Sequence, residues 1–166
     1  MLSLNFREMN LRNLFVLIVC ISLPLLLGTI AGFITSSNIE TWYVGLTKPH
    51  FNPPNWLFGP VWTMLYILMG ISLYRIVGEA PGEKKKVALR AFFIQLGLNF
   101  AWSFIFFYYH QTGLALFEIV ILWLAILAMI VSFYRLNHLS AYLQLPYLLW
   151  VTFATVLNAS IWYLNK

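Results

Sequence analysis

Five apolar runs, Leu14–Thr35, Phe58–Val77, Ala88–Tyr109, Leu114–Tyr134 and Gln144–Leu164, alternate with short polar or proline-rich connections along the chain. Each run is about 20 residues long, the length at which a helix crosses a hydrocarbon core of roughly 30 Å. Lipid offers the backbone no hydrogen-bond partners, so such runs close their own bonds as helices. The pattern predicts an all-α fold, an integral membrane bundle of five transmembrane helices. It forms one domain over residues 14–166 after an N-terminal flank of residues 1–13. The connection HQTG, His110–Gly113, is so short that the third and fourth helices are expected to be antiparallel neighbours. The others are GEAPGEKKK, Gly78–Lys86, and LNHLSAY, Leu136–Tyr142.

The connection between the first two helices has a different character. KPHFNPPNWLFGPVWT, Lys48–Thr63, holds Pro49, Pro53, Pro54 and Pro60 with two tryptophans and a histidine. Proline fixes its own φ and drives the preceding residue toward extended geometry, so Lys48–Asn55 is expected to be a stiff loop.

Composition removes most soluble alternatives. The chain is 61% hydrophobic and 9% charged, against about 25% charged in ordinary soluble domains. The net charge of +5 reads as a topology signal instead of a nucleic-acid footprint, because the bases flank apolar runs. Five crossings place Arg7, Arg12, Arg75, Lys84, Lys85, Lys86, Arg90 and Arg135 on the N-terminal side and only Lys48 and Lys166 on the other. The positive-inside rule then predicts a cytoplasmic N-terminus and an outward Pro/Trp loop. Leu14–Ile34 is too long for a signal-peptide core and is expected to be a retained span. The single cysteine, Cys20, permits no intramolecular disulfide, and the three histidines show no metal-ligand spacing. No motif for hydrolysis or phosphoryl transfer is present, so no catalytic residue is assigned.

Polar residues inside the runs are few and patterned. Gln95, Asn99 and Ser103 are four apart and share one helix face beside Trp102. Trp62 with Tyr66, and Trp150 with Ala154 and Asn158, repeat that spacing. Two readings fit: interhelical hydrogen bonds that hold the bundle, and a pocket with flat aromatic walls for a planar apolar ligand. Glu118, five residues past Gly113, is expected near the interface. The pairs Gly28/Gly32 and Gly97/Ala101 match the small-xxx-small pattern of close helix approach, within a chain or between copies.

WYVGLTKPHFNPPNWLFGPVWTMLY, Trp42–Tyr66, with LNFAWSFIFF, Leu98–Phe107, and LPYLLWVTFATVLN, Leu145–Asn158, resembles the TspO/MBR family of tryptophan-rich sensory and translocator proteins. The resemblance implies a five-helix membrane bundle, usually a homodimer, that binds porphyrins and other hydrophobic ligands. The implied cavity is lined by Trp62, Tyr66, Asn99, Trp102, Trp150 and Ala154, and closed by a first loop carrying Trp42, Pro53, Pro54 and Trp56. Porphyrin is implied as a ligand and no cofactor as obligatory. Lys48 is a candidate partner for porphyrin carboxylates. Mitochondrial members carry a tyrosine pair and an arginine after the ATVLN run, where this chain has Ala159, Ser160 and Tyr163. A shifted sterol pattern, Leu157, Tyr163 and Lys166, is weak, and a bacterial cell membrane is the expected location. A receptor or carrier is the leading expectation. Light- and oxygen-dependent porphyrin breakdown, or sensing through a partner protein, are the alternatives.

Overall fold

The computed structural model describes residues 10–166, so Arg7 and most of the flank lie outside the described residues. Every regular element among the described residues is a helix, and none is a strand. Helix α1 spans Leu11–Ile39, longer at both ends than the apolar run. Asn10 caps it, its side-chain oxygen accepting from the Asn13 N–H at 2.9 Å. At the other end Ser36, Ser37 and Asn38 donate back to helix carbonyls. Pro24 lies buried inside α1 without ending it.

Helix α2 spans Phe58–Val77, as the hydrophobic pattern predicts. Helix α3 covers Glu83–Ser103 and widens into a π-helical turn at Phe104–Tyr108, and α4 covers Thr112–Tyr134. The connection LNHLSAY is not plain loop. Asn137 caps a short helix, α5, His138–Tyr142, accepting from the Ser140 N–H at 3.1 Å. The last span, α6, is Leu145–Leu164. Five helices are long and apolar enough to span a membrane.

Helix α1 packs on α2, α3 on α4, and α4 on α6, so the short HQTG turn does join neighbours. Two glycines make the α1–α2 contact possible: a Cβ on Gly28 would enter the Tyr66 ring, and one on Gly70 would enter the α1 backbone at Ile21. Gly28 is thus used inside the chain. Gly97 faces open space, with nothing within 4 Å of a Cβ placed there.

Most intramembrane hydroxyls bond to their own helix. Thr29, Thr63, Ser132, Thr152, Thr155 and Ser160 each donate to the carbonyl four residues earlier. Ties between segments rely largely on amides. Gln144 donates to the Ser72 hydroxyl at 2.7 Å, and Asn137 donates to Glu79 while accepting from Arg75. These last bonds gather the α2–α3 and α4–α5 connections at one end of the bundle. The first loop, the α3–α4 turn and the end of α6 meet at the other, where Asn165 exchanges two 2.9 Å bonds with the backbone of Thr47.

Glu118 is 7% exposed and faces into the bundle. Gln95 is fully buried, and neither side chain has a hydrogen-bond partner among the described residues.

Candidate functional site

The end of the bundle that carries the first loop encloses a cavity of about 450 Å³, within the range that holds small organic ligands. Its walls come from α1, α2, the end of α3 and α6, with Tyr43, Asn55 and Trp56 from the loop. Trp62, Tyr66, Trp102, Trp150 and Ala154 all line it. The spacing of four that set these residues on three separate helix faces therefore leads into one chamber.

The rings are held at fixed angles. Trp62 stacks on Tyr66 at 5.5 Å and 27°, and Trp102 stacks on Phe106 at 5.1 Å and 22°. Trp150 meets Phe58 edge-on at 6.0 Å. The Trp102 indole N–H donates to Asn158 Oδ1 at 3.2 Å, and the Asn158 amide donates to the Thr112 carbonyl at 2.9 Å. Asn158 thereby couples α3 to the start of α4 and fixes the plane of one wall.

Asn99 does not line the cavity. It is 4% exposed and accepts from the Tyr66 hydroxyl at 2.9 Å, so it acts behind the wall by aiming Tyr66. Trp42 is also outside the lining. Its ring stacks on His110 at 4.2 Å and meets Phe106 edge-on at 5.5 Å. The His110 Nε2 lies 3.1 Å from Asn38 Oδ1, and His110 adopts a left-handed φ of 57° that turns the chain into α4. Pro53 and Pro54 do not touch the cavity; the residues that follow them, Asn55 and Trp56, do. Of the sterol pattern, Leu157 faces the cavity while Tyr163 is 66% exposed, with the Lys166 ammonium 4.4 Å over its ring. The three do not form one surface.

The loop is held by more than its prolines. The Tyr43 hydroxyl donates to Asn52 Oδ1 at 2.7 Å, and burial pushes its pKa up to about 12. Lys48 turns inward on the loop itself. Its ammonium donates to the carbonyls of Val44 and Leu46 and lies 4.8 Å over the Tyr43 ring.

Sequence reasoning missed the α1 wall and Phe107 of the π-helical turn. Gly28, Thr29, Gly32 and Ser36 line the cavity and fall on one face of α1, so a scan for small and hydroxyl residues at helical spacing finds them. Phe106, four residues past Trp102, flanks the stripe that periodicity marks, but Phe107 had no such signal. The Tyr109 N–H donates to the Phe104 carbonyl five residues back, and this wider turn carries both rings inward.

The sequence profile of the TspO/MBR family matches residues 20–164. The chain belongs to the TspO/MBR family. It is 43% identical to the tryptophan-rich protein TspO of Archaeoglobus fulgidus over 92% of this chain and 99% of that protein. It is also 43% identical to the human translocator protein, over 73% of each chain. With the tryptophan-rich sensory protein of Cereibacter sphaeroides it shares 36% identity over 76% of this chain and 78% of the relative. This TspO/MBR chain is thus an integral, multi-pass membrane protein, and its aromatic chamber is the candidate site.

Proposed function

We propose that this protein is a membrane receptor or carrier for porphyrins and other flat hydrophobic ligands, bound in the aromatic chamber beneath the first loop. The observation that carries the reading is a cavity of about 450 Å³ walled by Trp62, Trp102 and Trp150, whose rings are already fixed by stacking and hydrogen bonds. Preset flat walls bind a rigid flat ligand with little ordering cost. Porphyrin enters as ligand, not as an obligatory cofactor. The proposal includes a cytoplasmic N-terminus in a bacterial cell membrane, and a homodimer for which the outward face at Gly97 offers close approach.

The test is a tryptophan-quenching titration of purified protein with protoporphyrin IX, in darkness and under illumination. Saturable quenching that weakens about three- to tenfold in Trp150→Phe supports the proposal. Absence of saturable binding by folded wild type overturns it. Conversion of bound porphyrin under light to one discrete product, lost in Trp150→Phe, would replace the carrier by the degradative reading.

A further inference from the structure

The cavity wall carries many rings and no charge. Among the described residues that line it there is no Lys, Arg, His, Asp or Glu. The two lysines at this end of the bundle are turned elsewhere: Lys48 serves its own loop, and Lys166 lies over the rings of Trp162 and Tyr163.

One side of the chamber is open. Thr29, Gly32 and Ser36 of α1 and Gly59 and Thr63 of α2 line the cavity and are exposed at the same time. A Cβ built on either Gly32 or Gly59 meets nothing within 4 Å, so the two helices leave a slot between them in the half of the bundle nearest the loop. Of the hydroxyls that line the cavity, three along the slot have committed protons. Thr29 donates to Leu25, Ser36 to Phe33 and Thr63 to Gly59. At these three positions the rim presents oxygen lone pairs, which a carboxylate cannot use. An anion drawn past it loses water and gains neither a cation nor these hydroxyl protons, a large cost in an apolar chamber.

We infer that the cavity selects against charge: it takes an uncharged flat ring system edge-on through the slot between α1 and α2, and an anionic ligand binds only with its carboxylates left outside at the slot rim. The inference rests on the proposed function and adds the ligand's charge class and orientation. It also removes Lys48 from any role as a carboxylate partner.

The experiment compares protoporphyrin IX with its uncharged dimethyl ester, each titrated in darkness against protein in nanodiscs of neutral lipid, with protein-free discs to correct for partitioning. The ester is expected to bind at least as tightly as the diacid, and the diacid's affinity to change less than about twofold with added salt. Diacid binding more than about tenfold tighter than the ester, with steep loss in salt, means a cation reaches the carboxylates and overturns the inference while leaving the proposed function standing. Saturable binding of neither compound overturns both. Ser36→Lys adds a cation at the rim and is expected to move the diacid-to-ester affinity ratio about fivefold toward the diacid. An unmoved ratio in folded Ser36→Lys protein shows that the carboxylates do not rest at the rim, and the orientation falls.

Discussion

The two ends of this bundle solve opposite problems with the same kinds of residue. At the end bearing the α2–α3 connection, Met69, Phe92, Ile126, Met129 and Phe133 are completely buried and fill the space between helices. Flexible methionines there close irregular gaps around rings such as the Phe92–Phe133 stack at 6.3 Å. At the loop end, rings dominate, and they are propped apart. Asn158 holds Trp102, Asn99 holds Tyr66, and Gly28 leaves room for Tyr66 against α1, so the aromatic walls do not collapse on one another. The contrast teaches that aromatic content by itself makes neither a core nor a cavity. What separates them is whether the rings have soft neighbours that fill space or polar anchors that fix their planes.

Substitutions at the two ends should therefore fail in different ways. The largest expected effect is at the packed end, where Phe92→Ala opens a hole that its neighbours cannot refill. Stability should drop by about 3 kcal/mol, read as a lower midpoint of thermal unfolding in detergent. An unchanged midpoint would show that this half is not the rigid one. At the cavity end, Gly28→Leu should push Tyr66 out of place and weaken porphyrin binding about tenfold or more, with a smaller loss of stability. Equal losses in both would erase the distinction between the two ends.

Asn158→Leu tests the anchor directly. It removes the bonds to Trp102 and Thr112, which inside a membrane should cost about 1 kcal/mol of stability. Binding should suffer more, since Trp102 is then free to turn, and near-equal effects on unfolding and on affinity would argue against a role in aiming the ring. Asn165→Ala should free the first loop from α6 and speed ligand release about threefold, seen in stopped-flow quenching. The smallest effect is expected from Gly32→Ala, whose new methyl enters open space. Its unfolding midpoint should match wild type, and a clear drop would mean the slot between α1 and α2 is closed in the membrane.

Much of the fold was legible because lipid imposes a simple rule. Runs of about 20 apolar residues have to be helices, so the spans could be read with end errors of a few residues. The errors arose where side chains, not hydropathy, set the boundary. Asn10 starts α1 early, and Asn137 nucleates α5 inside a stretch that composition marks as loop. The site was legible in part. Periodicity grouped Trp62 with Tyr66, and Trp150 with Ala154, on single helix faces, and those faces line the cavity. The same rule could not separate the wall from what lies behind it, since Asn99 shares its helix face with Ser103, which lines the chamber, yet is screened from it. Glu118 shows the limit again: counting from Gly113 gives its depth but not the direction it faces.

The sequence by itself determined the solvent of this protein, the number of its crossings, the φ restraints that prolines place on its first loop and the faces on which its aromatics lie. Those properties depend on local chemistry: hydropathy, the proline ring and the 3.6-residue turn. Only the tertiary structure decided which aromatic faces enclose a space, that Lys48 turns to its own loop, that Trp42 stacks on His110, and that α1 and α2 part beside the cavity. Each of these depends on the distance between residues far apart in the chain, which the packing of whole helices fixes and no local pattern records.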